Sequence, residues 1–303
     1  MKRLFIIFAL FISVLFVFDR IAGLLLFKTF SQSQCIENYT YQKCDEDVVI
    51  LGSSRAKHHY VPSIISDSLG MTCYNLGENG KNIYFQYASL LLLFQHHVPK
   101  VVIYDCFSVD VIKSDFKYDF GSLSSYYPIY GRNLDVDSLI DKQGDKYISR
   151  IQSSWVYRYN SRFLNYMSDE GNDKYQGYVP LSGVCKKGLS IHIENDNLIT
   201  DESKLEYMQR LIDLCRTNGV EIIFSVSPRY ALNEIDSPIT LKYEKVAQLC
   251  ASNEVPFLYY ELAPDFLNDG NLFRDIGHLN DNGAKLFTKQ FASDIKQYLL
   301  SKR

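Results

Sequence analysis

The sequence has no extended basic run and a net charge of only −3. Phosphate backbones are bound by concentrated basic faces, so this composition excludes nucleic acid as a partner. The seven cysteines include no pair at metal-ligand spacing with a histidine nearby, which argues against a zinc site. No convincing small-x-small cleavage site follows the apolar N-terminus. From about Val111 to Ile199 there is also no apolar run of the kind that forms a buried parallel strand.

What is present is a chain of 303 residues, 47% hydrophobic and 22% charged, enough for one large domain or one domain with an elaborate insertion. Met1-Lys2-Arg3 precedes an apolar stretch from Leu4 to Phe18, interrupted by Asp19-Arg20 and resumed from Ile21 to Phe27. A membrane span takes about twenty apolar residues, so Leu4 to Phe27 suffices if Asp19-Arg20 lies near the interface. Residues 1–27 are read as an uncleaved single-pass anchor. Its leading positive charges put the rest of the chain on the non-cytoplasmic side. Ala22-Gly23 keeps a cleaved signal peptide open, and a buried helix is the third option. Residues 28–46 read as a linker, in which Cys35 and Cys44 flank a short polar segment and are expected to form a local disulfide. Cys73, Cys106, Cys215 and Cys250 stand in apolar contexts that suit buried thiols.

From residue 47 to 303 short apolar runs alternate with amphipathic ones. Val48–Leu51, Cys73–Leu76, Val101–Asp105, Glu221–Val226 and Pro256–Tyr260 read as strands. Pro62–Leu69, Ile83–His97, Glu202–Asn218, Thr240–Asn253 and about Asp281–Leu300 read as helices, with Gly219 as a left-handed C-cap and Asn280 as an N-cap. This alternation predicts a parallel sheet covered on both faces, with the site beyond the carboxyl ends of its strands. Ser54, Gly80, Asp105 and Ser227 all follow strand ends. The stretch at about 111–199 is too long for a bare loop and reads as a partly helical, Tyr-rich cap. Its Tyr126, Tyr127, Tyr130, Tyr157, Tyr159, Tyr166, Tyr175 and Tyr178 suit either a packed core or platforms for sugar faces.

Three groups in the chain match the needs of nucleophilic acyl transfer: a hydroxyl, an imidazole and a carboxylate to orient it. Ser54 directly follows an apolar strand, where a turn presents a hydroxyl at the sheet edge, although Ser53-Ser54 also suits a turn or N-cap. Asp275 stands three residues before His278, close enough to accept from Nδ1 if the backbone turns, although both also suit the start of the last helix. His58, His59, His96 and His97 come as adjacent pairs and read as solvated surface residues. Gly77 and Gly80 offer backbone donors, or simply turns.

The ordered set Gly52-Ser53-Ser54, Asn75-x-Gly77-x-x-Gly80 and Asp275-x-x-His278-Leu279-Asn280 resembles the SGNH/GDSL hydrolase superfamily over about Asp47–Asp110 and Glu202–Leu300. The resemblance is strongest to its membrane-anchored, extracytoplasmic branch, which includes polysaccharide O-acetyl-handling proteins and proteins similar to the D-alanine transfer protein DltD. It implies a flavodoxin-like three-layer α/β/α fold, with Ser54 as nucleophile, His278 as base and Asp275 as its orienting carboxylate. Ser53 stands where the family has aspartate. Backbone N–H groups of Ser54 and Gly80 would form the oxyanion hole. The asparagine of the family's third block is missing from Tyr104–Asp110, which leaves Ser108 as the side-chain donor. Arg55 would bind an anionic or polar substrate group, or form a surface ion pair.

The implied activity is that of a serine esterase acting on acyl esters, acetyl foremost, of envelope or extracellular polysaccharide. The same triad would serve O-acyl transfer to a sugar hydroxyl, and the missing asparagine would suit a catalytically silent binding protein. No metal or organic cofactor is called for. The implied partners are an acylated carbohydrate, the membrane through the N-terminal helix, and a membrane-bound acyl-transfer protein. The implied location is the cytoplasmic (inner) membrane, with the catalytic domain periplasmic or otherwise extracytoplasmic.

Overall fold

A computed structural model describes residues 1–107, 110–113, 116–159, 162–167, 175–186, 200–230 and 241–302. The strands β1 (Val48–Gly52), β2 (Cys73–Asn75), β3 (Val101–Asp105), β4 (Glu221–Val226) and β5 (Phe257–Tyr259) lie close to their expected bounds. They pair in parallel in the order β2-β1-β3-β4-β5. This is the flavodoxin-like order, which reverses direction between β1 and β3 and opens a crevice there at the carboxyl ends. Along the strands, Val49, Leu51, Val102, Tyr104, Ile222 and Phe224 enter one apolar core, while Val48, Ile50, Val101, Ile103 and Ile223 enter the other. Both faces are buried, as the nearly continuous apolar runs require.

The helices, in chain order, begin with α1 (Lys2–Gln32), α2 (Ile36–Gln42), α3 (Ser54–His59), α4 (Pro62–Leu69) and α5 (Ile83–Leu93). The insertion supplies α6 (Phe116–Gly121), α7 (Leu134–Asp141), α8 (Asp145–Ser153) and α9 (Phe163–Met167). Then follow α10 (Glu202–Thr217), α11 (Leu241–Ser252), α12 (Pro264–Leu267) and α13 (Asp281–Ser301). Helices α2, α5, α10 and α11 cover the first core, and α3, α4 and α13 the second. The Asn280 side chain caps α13 by accepting from Gly283 N, and Gly219 takes φ +70° just past α10.

Two expectations change, and one open choice is resolved. Residues 28–46 are folded rather than a linker: α2 packs on α5 and buries Glu37, Asn38 and Thr40. Cys35 and Cys44 are free thiols, not a disulfide, because α2 lies between them; Cys44 faces the core while Cys35 Sγ accepts from Ser33 Oγ. The tyrosines of the insertion mostly pack. Tyr126, Tyr127, Tyr130, Tyr159 and Tyr166 join the first core, half-buried Tyr157 packs against it, and Tyr178 joins the second, leaving Tyr175 exposed.

Residues 175–186 of the insertion form a strap laid along the carboxyl edge of the sheet. Gln176 O accepts from Asn75 N, Lys57 O accepts from Val179 N, and Leu181 O accepts from Asp281 N. At Gly177, with φ +84°, a Cβ would lie 2.0 Å from Asn75 O, so only glycine lets the strap approach β2 this closely.

Helix α1 is bare below and packed above. Leu4–Phe18 are exposed, whereas Gly23, Leu26, Phe27 and Phe30 form one helical face against the domain, with Phe30 fully buried. The upper end of the helix is therefore part of the core. Phe30→Ala is expected to cost about 3–5 kcal/mol in unfolding experiments on the detergent-solubilised full chain. Leu15→Ala, on the exposed stretch, should stay within about 0.5 kcal/mol. Equal, small effects would detach α1 from the fold.

Candidate active site

Ser54 is the first residue of α3, immediately beyond β1. The turn between them needs Gly52, whose φ is +144° and whose absent Cβ would lie 2.7 Å from Asp105 O. Ser54 Oγ lies 2.8 Å from His278 Nε2. His278 Nδ1 lies 3.0 Å from Asp275 Oδ1 and 3.1 Å from Oδ2. With the Nδ1 proton donated to the carboxylate, Nε2 is free to accept from the serine hydroxyl.

Two residues three apart can meet this way because their turn closes on itself. Phe273 and Leu279 form an antiparallel bridge, and Arg274 N donates to His278 O at 2.8 Å. Asp275 Oδ1 accepts from Gly277 N and His278 N, both at 2.9 Å. The carboxylate is thus fixed by the same loop that carries the imidazole.

The other expected residues fare differently. Arg55 is 1% exposed and turned beneath the site. Its Nε donates to Ser227 Oγ at 3.1 Å, its Nη2 reaches Pro228 O, and Glu261 lies 3.7 Å from Nη1. It is neither a surface ion pair nor a cavity-lining group. Gly80 takes φ +67° in an exposed turn, and its neighbour Asn79 lines the cavity beside Ser54. Ser108 lies outside the described residues.

The cavity at the triad has a volume of about 310 Å³ and is walled by Ser54, His58, Asn79, Leu181, Arg274 and the Asp275–His278 turn. His58 and His59 are buried, not solvated. Helix α3 is sandwiched between the sheet, the strap and α13, so both of its long sides are covered. His58 Nδ1 donates to Val179 O at 2.7 Å, and its ring meets that of His278 edge-on at 5.8 Å. Burial lowers its pKa below the ordinary value. The signal for His58 was in the spacing: it stands four residues after Ser54, on the same side of a one-turn helix. Asn79, Arg274 and Leu181 carried no comparable signal, since their role depends on where the strap and turns come together.

His59 packs behind His278. Its Nε2 accepts from Leu279 N at 2.9 Å, so the proton sits on Nδ1, which donates to Ser227 Oγ at 2.9 Å. Full burial, followed by the Arg55 charge, holds its pKa well below the ordinary 6.5.

No protein-family model and no curated protein sequence matches the chain. Three similar solved structures illustrate its likenesses. A Bacteroides fragilis protein described as an acylhydrolase has 11% identity and TM-score 0.43, with 88% of this chain and 98% of that one covered. An acetyl xylan esterase has 15% identity and TM-score 0.38, with coverages of 84% and 98%. A GDSL-like lipase of Bacteroides thetaiotaomicron has 11% identity and TM-score 0.36, with coverages of 83% and 88%.

The buried histidine sets a pH dependence. Because the folded pKa of His59 is lowered, the unfolded chain binds the extra proton more readily. Its stabilising contribution is complete above about pH 6.5 and is lost as the pH falls below that value. Gln at this position can still accept from Leu279 N but cannot titrate. Between about pH 7.5 and pH 5 the melting temperature of the native chain is expected to fall further than that of His59→Gln. An identical fall in both would remove His59 as a source of acid sensitivity.

Proposed function

We propose that this protein is a membrane-anchored, extracytoplasmic serine esterase that removes short acyl groups, acetyl foremost, from an acylated carbohydrate of the cell envelope. The observation that carries the reading is the unbroken contact chain Ser54 Oγ–His278 Nε2 at 2.8 Å and His278 Nδ1–Asp275 Oδ1 at 3.0 Å. His278 takes the hydroxyl proton as Ser54 Oγ attacks the ester carbonyl, and Asp275 stabilises the resulting imidazolium. Collapse of the tetrahedral adduct expels the sugar oxygen, protonated by His278. Water, deprotonated by the same imidazole, then attacks the acyl-serine and releases the carboxylic acid. The oxyanion is received by the backbone N–H of Ser54 and the side-chain amide of Asn79, which takes over from the asparagine missing after β3.

Two features favour hydrolysis over transfer and short acyl groups over long ones. The side chains of Asp275 and His278 are 51% and 29% exposed, so water reaches the acyl-serine, whereas transfer to a sugar depends on excluding it. Among the described residues the small cavity offers Leu181 as its one aliphatic wall, too little apolar surface for a long chain. The carbohydrate comes from the resemblance of the sequence blocks. The clamped upper end of α1 and the leading Lys2-Arg3 support an anchor with the domain outside.

A fluorophosphonate probe is expected to label Ser54, with labelling lost in Ser54→Ala and His278→Ala. Hydrolysis of p-nitrophenyl acetate should fall by about 10⁴ or more in either variant. Failure of the folded native protein to label would instead favour a silent binding protein. Asn79→Ala should lower kcat by about 10²–10³ with little change in KM. An unchanged kcat would take Asn79 out of the oxyanion hole.

A further inference from the structure

A second cavity lies far along the chain from the triad, where the insertion grips α1. Asp19 Oδ1 accepts from Ser154 Oγ at 2.5 Å, and Oδ2 from Trp155 N at 2.8 Å. Arg20 Nη2 donates to Ser153 O at 3.0 Å, and its guanidinium lies 4.9 Å from the Trp155 ring centre. Gly23 makes the contact close, since a Cβ there would lie 2.4 Å from Trp155 Cβ. The only charged pair inside the apolar segment is therefore occupied by one turn of the insertion, which fixes that turn's height on the helix.

That height is the membrane boundary, on the reading of α1 as an anchor. Leu4–Phe18 spans about 22 Å at about 1.5 Å per residue, short of a hydrocarbon layer about 30 Å thick. Exposed Ile21, Leu24 and Leu25 extend the apolar surface past the clamp. Trp155 and the exposed Val156 then lie in the interfacial layer, where tryptophan is favoured.

Immediately beside this turn is a cavity of about 330 Å³, walled by Leu24 and Phe27 of α1 and by Arg132, Trp155 and Arg158. The Arg132 guanidinium sits 3.8 Å from the Phe27 ring centre and has no side-chain hydrogen bond among the described residues. Arg158 is steadied by Ile151 O and Tyr130 O, both at 2.8 Å from its donors. Among the described residues no carboxylate lines the cavity. The nearby ones are engaged: Asp19 on the Trp155 turn, and Asp137 on Gly131 N at 2.9 Å.

We propose that this cavity binds the headgroup of an anionic phospholipid, with its phosphodiester between Arg132 and Arg158 and its acyl chains running down the exposed face of α1 past Leu24 and Ile21. The apolar helix wall selects a lipid over free phosphate. Two guanidiniums select an anionic headgroup over a zwitterionic one. The lipid would fix the orientation of the domain on the bilayer. This assignment rests on α1 being retained as a membrane anchor.

The test is native mass spectrometry of the full chain from mild detergent, with added phosphatidylglycerol or phosphatidylcholine, alongside melting in nanodiscs of each composition. Phosphatidylglycerol should be retained roughly tenfold or more over phosphatidylcholine. Arg132→Gln should bring the two close to parity without changing the melting temperature in phosphatidylcholine, and Arg132→Lys should restore part of the preference. Equal retention by the native chain, or an unchanged preference in Arg132→Gln, overturns the site. Displacement of the lipid by millimolar inorganic phosphate overturns the lipid assignment in favour of a plain anion site. An intact mass lacking the apolar half of α1 overturns the anchor and the lipid site with it, whereas a full-length mass with no lipid preference overturns the lipid site alone.

Discussion

One buried oxygen joins the two halves of the site. Ser227 Oγ, just beyond the carboxyl end of β4, accepts from Arg55 Nε and from His59 Nδ1. Arg55 is the residue after Ser54. His59 in turn receives the amide of Leu279, the residue after His278. The neighbours of Ser54 and His278 are therefore tied to a single hydroxyl, although the two residues are 224 positions apart in sequence. A contact of 2.8 Å between two side chains from distant segments needs such a common reference, because each loop alone has more freedom than the bond tolerates. Asp105, at the end of β3, adds a second tie by accepting from Ser227 N at 2.9 Å and from Tyr60 Oη at 2.6 Å.

This network is costly as a source of stability. Arg55, Asp105 and Glu261 are almost fully buried, and desolvating such charges offsets much of their mutual attraction. Burial raises the Asp105 pKa, against the opposing pull of Arg55. An apolar plug of the same volume would fill the space at lower cost. It would not, however, hold Arg55, His59 and the strand ends in one geometry, since apolar contacts lack direction. The polarity beneath Ser54 is thus understood as a device for position.

Much of this was legible from residue pattern. The β strands stood out because parallel strands buried on both faces are short, apolar and separated by helical periodicity. Ser54, Asp275 and His278 stood out because their types and order suit one chemistry, and the structure brings them together. What the pattern could not convey was direction. His58 and His59 looked like a polar dipeptide, yet they become buried once the strap at 175–186 and α13 close over α3. Arg55 read as a substrate-binding group or a surface ion pair, yet it points inward to Ser227, Pro228 and Glu261, which follow the carboxyl ends of β4 and β5. Cys35 and Cys44 looked pairable until α2 separated them. Each of these outcomes is decided by segments distant in sequence, which local spacing does not report.

The same long-range ties set how the site stands relative to the anchor. The turn bearing Asn79 and Gly80 continues into Lys81, whose ammonium donates to Ser125 Oγ at 2.5 Å and Ser122 O at 3.0 Å. Arg162 also donates to Ser125 Oγ and pairs with Glu37 Oε1 at 2.9 Å, in the first turn of α2, just after α1 ends. From there α2 descends the flank of the sheet to its opposite edge, where Cys44 O and Glu46 O accept from His96 and His97. Helix α1 therefore leaves the fold beside the edge that carries the triad, and not at the far end of the sheet. With α1 as an anchor, the cavity stands toward the bilayer surface.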